Sequence, residues 1–413
     1  MYNYDDIEIL APCGSFASLQ AAINAGADSI YFGASRLNMR AASSVNFNIN
    51  DLKEIISKAK EKNIKTYLTL NTIMYDEDLL EAEEIILKAK ENGIDAIIAS
   101  DFSIIELCNK YNIRTHISTQ ANISNIGAVR FFAKYADVMV LARELSLDQV
   151  ANIINKINQE KIIGPSGELI KIEIFVHGAL CMAVSGKCYL SLHEWNKSAN
   201  RGQCLQTCRR SYVVTDKESG YELEIDNEYI MSPKDLRTIH FLDKILATGV
   251  KILKIEGRGR SPEYVKYTVE CYKEAVESIK NNTYSLDKIK HWEDKLSRVY
   301  NRGFWDGYYL GQRLGEWSNV HGSQAVEKKV YIGDVTNYFS NIRVAEVLIR
   351  TNDIKINDKI MIIGDTTGVY ESTILELRNN DGKIDIGHKG EYVSFPVEQK
   401  VRRNDKVYKI LSN

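Results

Sequence analysis

Residues 66–99 read TYLTLNTIMYDEDLLEAEEIILKAKENGIDAIIA, and their pattern decides the fold. The two ends, Thr66–Leu70 and Ala96–Ala99, are short apolar runs of the kind that a strand covered on both faces presents. Between them, Asp78–Asn92 sets Leu79, Leu80, Ile85, Ile86 and Ala89 at helical spacing. The stretch is one strand, one helix and a second strand. Further strands read in the same way at Ile7–Ala11, Ser29–Phe32, Arg114–Ile117, Val138–Ala142, Ile172–Val176 and Lys251–Ile255. Asp51–Lys62 repeats the helical pattern with Leu52, Ile55, Ile56 and Ala59. Eight strand–helix units are the number that closes a (β/α)8, TIM-like barrel, which is the α/β fold expected. An open doubly wound sheet is the alternative, because periodicity does not distinguish a closed sheet from an open one.

The chain has 413 residues, 44% of them hydrophobic, and 53 Lys and Arg against 55 Asp and Glu leave a formal charge of −2. This excludes a mainly disordered chain and argues against a protein that grips nucleic acid over its whole surface, although a local basic face stays open. The start, Met1 to Glu8, is acidic where a signal peptide is basic, and no run approaches the roughly 18 apolar residues of a membrane span. No membrane association and a cytoplasmic location are expected.

The spacing breaks once, where about 75 residues separate the seventh and eighth strands. In a barrel such a loop leaves the C-terminal face, where active sites lie. It holds Cys181, Cys188, Cys204 and Cys208, four of the seven cysteines, within 28 residues. Four thiolates suit a [4Fe-4S] cluster or a tetrahedral zinc. Only Cys204 and Cys208 have the close pairing usual for structural zinc, and the gap of six residues after Cys181 fits it poorly. The spacing favours the cluster and leaves zinc, or no metal, open. Cys13, at the end of the first strand, reads as packing or as a residue of the mouth, and Cys108 and Cys271 as core fillers.

Ser261–Val299 reads as helical, with Tyr264, Val265, Tyr267, Thr268, Cys271 and Tyr272 on its apolar face. From Ala325 the texture changes to short strands, Val330–Val335, Ile342–Ile349, Lys359–Ile363, Val369–Leu377, Lys383–Ile386 and Lys406–Ile410, with Asn-Asp and Gly-containing turns. Two domains follow. Residues 1–324 form the barrel, with the cysteine loop at 178–250 and packing helices at 261–300, and residues 325–413 form a small all-β barrel.

The stretch Glu173-Ile-Phe-Val-His-Gly-Ala-Leu-Cys-Met-Ala-Val-Ser-Gly-Lys-Cys-Tyr-Leu-Ser, with Asn200-Arg-Gly-Gln-Cys and Cys208-Arg, resembles the signature of the U32 family, long labelled collagenase-like peptidases. Leu10-Ala-Pro-Cys-Gly-Ser, Ser118-Thr-Gln-Ala-Asn, Lys254-Ile-Glu-Gly-Arg and Asn301-Arg-Gly-Phe support it. Cys13 stands where many members carry a small residue such as alanine. Within the family the nearest likeness is to the tRNA hydroxylation proteins, which help make 5-hydroxyuridine at the wobble position using prephenate. Others act on ribosomal RNA cytidine or on ubiquinone precursors. The resemblance implies a tRNA partner, an iron-sulfur centre on the four loop cysteines, prephenate as co-substrate, and room for a partner subunit of the same family.

Planar recognition of the carboxylates of prephenate favours arginine, and Arg143, Arg258 and Arg40 stand at strand ends. His177 is expected to donate a proton or bond a ligand sulfur, and Glu144 and Glu256 to serve as bases. For RNA, Lys187, Lys197, Arg201, Arg209 and Arg210 interleave with Tyr189, His193, Trp195 and Tyr212, cations for phosphates and rings for an unstacked base. Lys400, Arg402, Arg403, Lys406 and Lys409 form a second basic group. The competing classes are a peptidase built on Cys181 and His177, and a zinc-stabilised binding module. Gly-x-Ser-x-Gly, His-Glu-x-x-His and Walker A motifs are absent.

Overall fold

The computed structural model describes residues 4, 6–42, 47–213, 217–218, 229, 231–311, 315–320 and 322–413. Part of the acidic start and part of the 178–250 loop therefore lie outside the described residues.

Strands β1 Glu8–Cys13, β2 Ser29–Phe32, β3 Lys65–Leu70, β4 Ala96–Ala99, β5 Thr115–Ile117, β6 Val138–Val140 and β7 Lys171–Gly178 pair in parallel, each with the next. A short strand β8, Asp235–Arg237, runs antiparallel to the end of β7. Strand β9, Ile252–Ile255, pairs in parallel with both β7 and β1 and closes the ring, so β1–β7 and β9 form the eight-stranded barrel. That closure excludes the open doubly wound sheet. Strand β10, Phe304–Trp305, extends β8.

The strand interiors are buried throughout β1, β2 and β4, which is why they read as unbroken apolar runs. The helix Leu52–Lys60 buries Leu52, Ile55, Ile56 and Ala59, the face that its periodicity marks. The helix Leu79–Glu91 buries Ala82, Ile85, Ile86 and Ala89, but Leu80 is 81% exposed, one helical position off the inward stripe. The helical stretch after β9 divides into Pro262–Lys280 and Leu286–Ser297, broken at the intervening Asn282, whose φ is +54°. Cys13, Cys108 and Cys271 are all buried packing residues.

The C-terminal region is a separate antiparallel all-β unit with its own apolar core, including Ile332, Val347, Ile362 and Phe395. Its longest strand, Glu327–Phe339, pairs with Val344–Ile349 on one side and Lys406–Ser412 on the other. It rests on the first barrel helix through Met361, Ile363 and Val369 against Ala17 and Ala21. Tyr392–Pro396 adds a strand that its mixed composition hid, pairing with Val344–Ile349. Among the described residues no helix is long and apolar enough to cross a membrane.

Candidate functional site

The strands end on one side of the barrel in a cavity of about 200 Å³, roofed by the loop that follows β7. Gly178 ends β7 at φ +106°, and a Cβ there would stand 2.5 Å from the Glu256 carbonyl oxygen, so only glycine lets the chain turn beneath the end of β9. Beyond this turn the loop folds back through Leu190–Trp195 and two single 3-10 turns.

Cys181, Cys188, Cys204 and Cys208 all line the cavity. Burial raises the Cys208 thiol above its ordinary value; Arg209 lowers it again, and Cys204, Cys181 and Cys188 push it up, so the four sulfurs share one electrostatic neighbourhood. All seven cysteines are free thiols. Among the described residues no three His, Cys, Asp or Glu side chains are gathered as they are around a single metal ion.

The charged part of the remaining wall is cationic. Arg40, Arg143, Arg209, Arg258, Arg260, Arg302 and Lys254 line it, against one carboxylate, Glu256. Glu256 is buried, which pushes its pKa up, but Arg40, Arg260 and Arg143 outweigh this and hold it at about 2. Arg40 bonds it at 2.5 Å and the Ala179 N–H donates to it at 3.3 Å. Glu256 therefore stays an anion at physiological pH and is a weak base, contrary to the expectation that it accepts a proton. Arg258 donates to Asn38 Oδ1 at 2.9 Å and Thr69 Oγ1 at 2.6 Å, and burial lowers its pKa to about 10. Arg143 lies over the Phe175 ring at 3.7 Å and donates to the Ala179 carbonyl at 2.8 Å, while its buried Nε has no hydrogen-bond partner among the described residues.

Beneath these groups, Lys254 Nζ bonds Glu173 Oε1 at 2.6 Å, with both side chains almost fully buried. Burial lowers the lysine and raises the glutamate, each opposed by its partner. Sequence reasoning quoted both residues without assigning either a role. The signal was present, since a charged residue inside an apolar strand must find a partner.

Four expected site residues do not reach the cavity wall. His177 points behind it, into a shell of Tyr264, Tyr272 and Phe304, with Nδ1 3.5 Å from the Tyr272 hydroxyl. Burial, helped by Arg237 and Arg260, lowers its pKa to about 3, so it is a neutral core residue rather than a proton donor. Glu144 and Lys187 are exposed and outside the lining. Arg201 is ion-paired with Asp78 on the neighbouring loop. Arg209 does line the cavity, but its guanidinium donates to the carbonyls of Leu180 and Pro233 and to the Ser232 hydroxyl. It staples the Cys181 and Cys208 ends of the loop together rather than facing substrate.

The basic groups are also partly self-paired. Arg210 bonds Glu194 at 2.7 Å and lies over Trp195 at 5.5 Å. Tyr212 donates to the Thr207 carbonyl at 2.7 Å. Lys406 and Lys409 pair with Asp334 at 2.6 Å and Asp358 at 2.7 Å, which leaves Lys400, Arg402 and Arg403 exposed in the C-terminal unit. Tyr189, 72% exposed, and Trp195, 49%, stand on the cysteine loop with Lys187, Lys197 and His193 beside them in sequence.

The profile of peptidase family U32 matches residues 14–319, about three quarters of the chain. The protein belongs to peptidase family U32. A protein named collagenase from Porphyromonas gingivalis is 53% identical over 407 residues, covering 98% of each chain. The tRNA hydroxylation protein P1 of Bacillus subtilis is 31% identical, covering 95% of this chain and 92% of its own. The 23S rRNA 5-hydroxycytidine C2501 synthase of Escherichia coli is 32% identical over 75% of this chain and 46% of its own. The U32 membership expected from the loop signature is thus established, and the names of its relatives include RNA hydroxylation, collagenase and, for one from Methanocaldococcus jannaschii at 36% identity, an uncharacterized protease.

Proposed function

We propose that the protein is a tRNA-modifying enzyme that hydroxylates C5 of the wobble uridine, with an iron-sulfur cluster and prephenate as co-substrate. The observation that carries this reading is the pairing of four thiols and seven cations around one cavity at the C-terminal mouth of the barrel. Converting C5–H to C5–OH is a two-electron oxidation that no side chain supplies. Cys181, Cys188, Cys204 and Cys208 would hold the cluster, which when bound would supply electron transfer, since four thiolates leave no iron open as a Lewis acid. The spacing supports a cubane over zinc, because only Cys204 and Cys208 form the close pair usual for structural zinc.

The chain's own residues do the rest. Arg143, Arg258 and Arg40 offer guanidinium groups to a dicarboxylate, with Glu256 fixing Arg40 in place. Lys254 adds a buried positive charge below them. Leu180, Met182 and Val184 form an apolar part of the roof that limits water. Tyr189 and Trp195 on the outer face of the loop suit the stacking of an unpaired base. Replacing Arg143 and Arg258 together by leucine is expected to weaken prephenate binding at least about a hundredfold, since each carboxylate contact contributes about 1.5–3 kcal/mol; calorimetric titration measures it.

Nucleoside mass spectrometry of tRNA from cells lacking the gene tests the activity. Loss of 5-hydroxyuridine derivatives, restored by the gene, is expected. Unchanged levels in a cell with no second family member would count against it. The 53% identity to a protein named collagenase favours peptidase activity as a second reading. Against it, the polar partner of His177 among the described residues is Tyr272, not Cys181. Cleavage of collagen peptides by the purified protein, lost in Cys181→Ala, would establish that reading instead.

A further inference from the structure

We infer that Asp78 is a positioning residue for the site, a buried carboxylate that ties the segment carrying Arg40 to the half of the cysteine loop carrying Cys204. The inference bears on the same cavity as the proposed function, but it needs neither a cluster nor a substrate to be present.

Asp78 lies between β3 and the helix Leu79–Glu91, and its side chain is wholly buried. Its Oδ1 meets Arg36 at 2.7 Å, and its Oδ2 meets Arg201 and accepts the Tyr75 N–H at 2.8 Å. Arg36 precedes Arg40 by four residues, and Arg201 precedes Cys204 by three. One carboxylate thus bridges two loops that are distant in sequence. Arg201 is seated further by Tyr75, whose ring lies 3.8 Å beneath its guanidinium, and by a bond to the Ile73 carbonyl at 3.2 Å.

The backbone locks the same contact. Ile73 N–H donates to Asn200 O at 3.1 Å and Ala42 N–H to Gly202 O at 3.2 Å. Gly202 has φ +77°, and a Cβ there would stand 2.2 Å from the Asn38 carbonyl oxygen. Asn38 in turn receives the Arg258 guanidinium at 2.9 Å. The position of Cys204 is therefore set by the same contacts that set Arg40 and Arg258. Removing Asp78 leaves the Arg201 guanidinium without its carboxylate, while Arg36 keeps Glu81 at 2.8 Å; removing Arg201 leaves Asp78 paired with Arg36 and strands no buried charge.

The test uses the metal-free, reduced full-length protein and measures iodoacetamide alkylation of each cysteine by mass spectrometry. In Arg201→Gln and Asp78→Asn, Cys204 is expected to alkylate about tenfold faster or more, while buried Cys13, Cys108 and Cys271 stay protected. Arg201→Lys, which keeps the charge, is expected to recover part of the protection. Iron-loaded Arg201→Gln is expected to show a shifted electron paramagnetic resonance signal. Unchanged Cys204 rates would overturn the inference. So would equal acceleration at Cys13, Cys108 and Cys271, because Asp78 would then serve the fold as a whole. If Asp78→Asn does not fold, Arg201→Gln decides alone. Unsubstituted protein that takes up no iron would sink the cluster reading and leave this test intact.

Discussion

Alanine at Cys181, Cys188 or Cys204 is expected to reduce the iron of protein purified without oxygen from about four atoms per chain to near none, with loss of acid-labile sulfide and of the visible absorption. Each thiol lines the shared cavity, and each would bind one corner of the cluster. Cys208 stands among them, its thiol influenced by all three others, so Cys208→Ala is expected to behave alike. Retention of full iron by the first three variants would refute the ligand set. Full iron in Cys208→Ala alone would mean that a fourth ligand comes from elsewhere. Zinc or no metal in the unsubstituted protein would free Cys181 and return the peptidase or scaffold readings.

The second large effect is a loss of stability between pH 7 and pH 5. Burial lowers both His116 and His177 to about 3. Each imidazole binds its proton more weakly in the folded chain than in the unfolded one, where its pKa is about 6.5. The stability so contributed is present above 6.5 and is lost as pH falls towards 3. At about 1.4 kcal/mol per pH unit, each histidine removes about 2 kcal/mol by pH 5, or about 4 kcal/mol for the pair. Glu256 and Asp78, both held near 2 by arginines, act in the same direction but only below about 4.5. Urea unfolding at pH 7.5 and 5.0 measures the difference. His116→Phe is expected to remove about half of it, since His116 packs on the Tyr67 ring at 4.4 Å and its Nδ1 has no hydrogen-bond partner among the described residues. Burial raises the Glu173 carboxyl, which acts in the opposite direction, so the comparison with His116→Phe decides: an unchanged pH dependence in that variant would refute the assignment of the His116 ring as buried and neutral.

The sequence by itself determined the eight barrel strands, the strand-rich C-terminal region and the clustering of four cysteines after the seventh strand. These are local properties: the period of apolar residues follows from which backbone faces must leave water, and the four thiols fall within 28 residues of one another along the chain. It also pointed to Arg143 and Arg258, three residues past β6 and β9, and to Arg40 in the loop after β2, all of which line the cavity. Only the tertiary structure decided which charged groups face the cavity. His177, at the end of β7, turns behind the wall, and Arg201 turns to a carboxylate 123 positions earlier in the chain. Lys254 and Glu173 meet through the pairing of β9 with β7, 81 residues apart. A side chain's direction and partner depend on strand pairing and loop return across such separations, and periodicity within one segment carries no record of them.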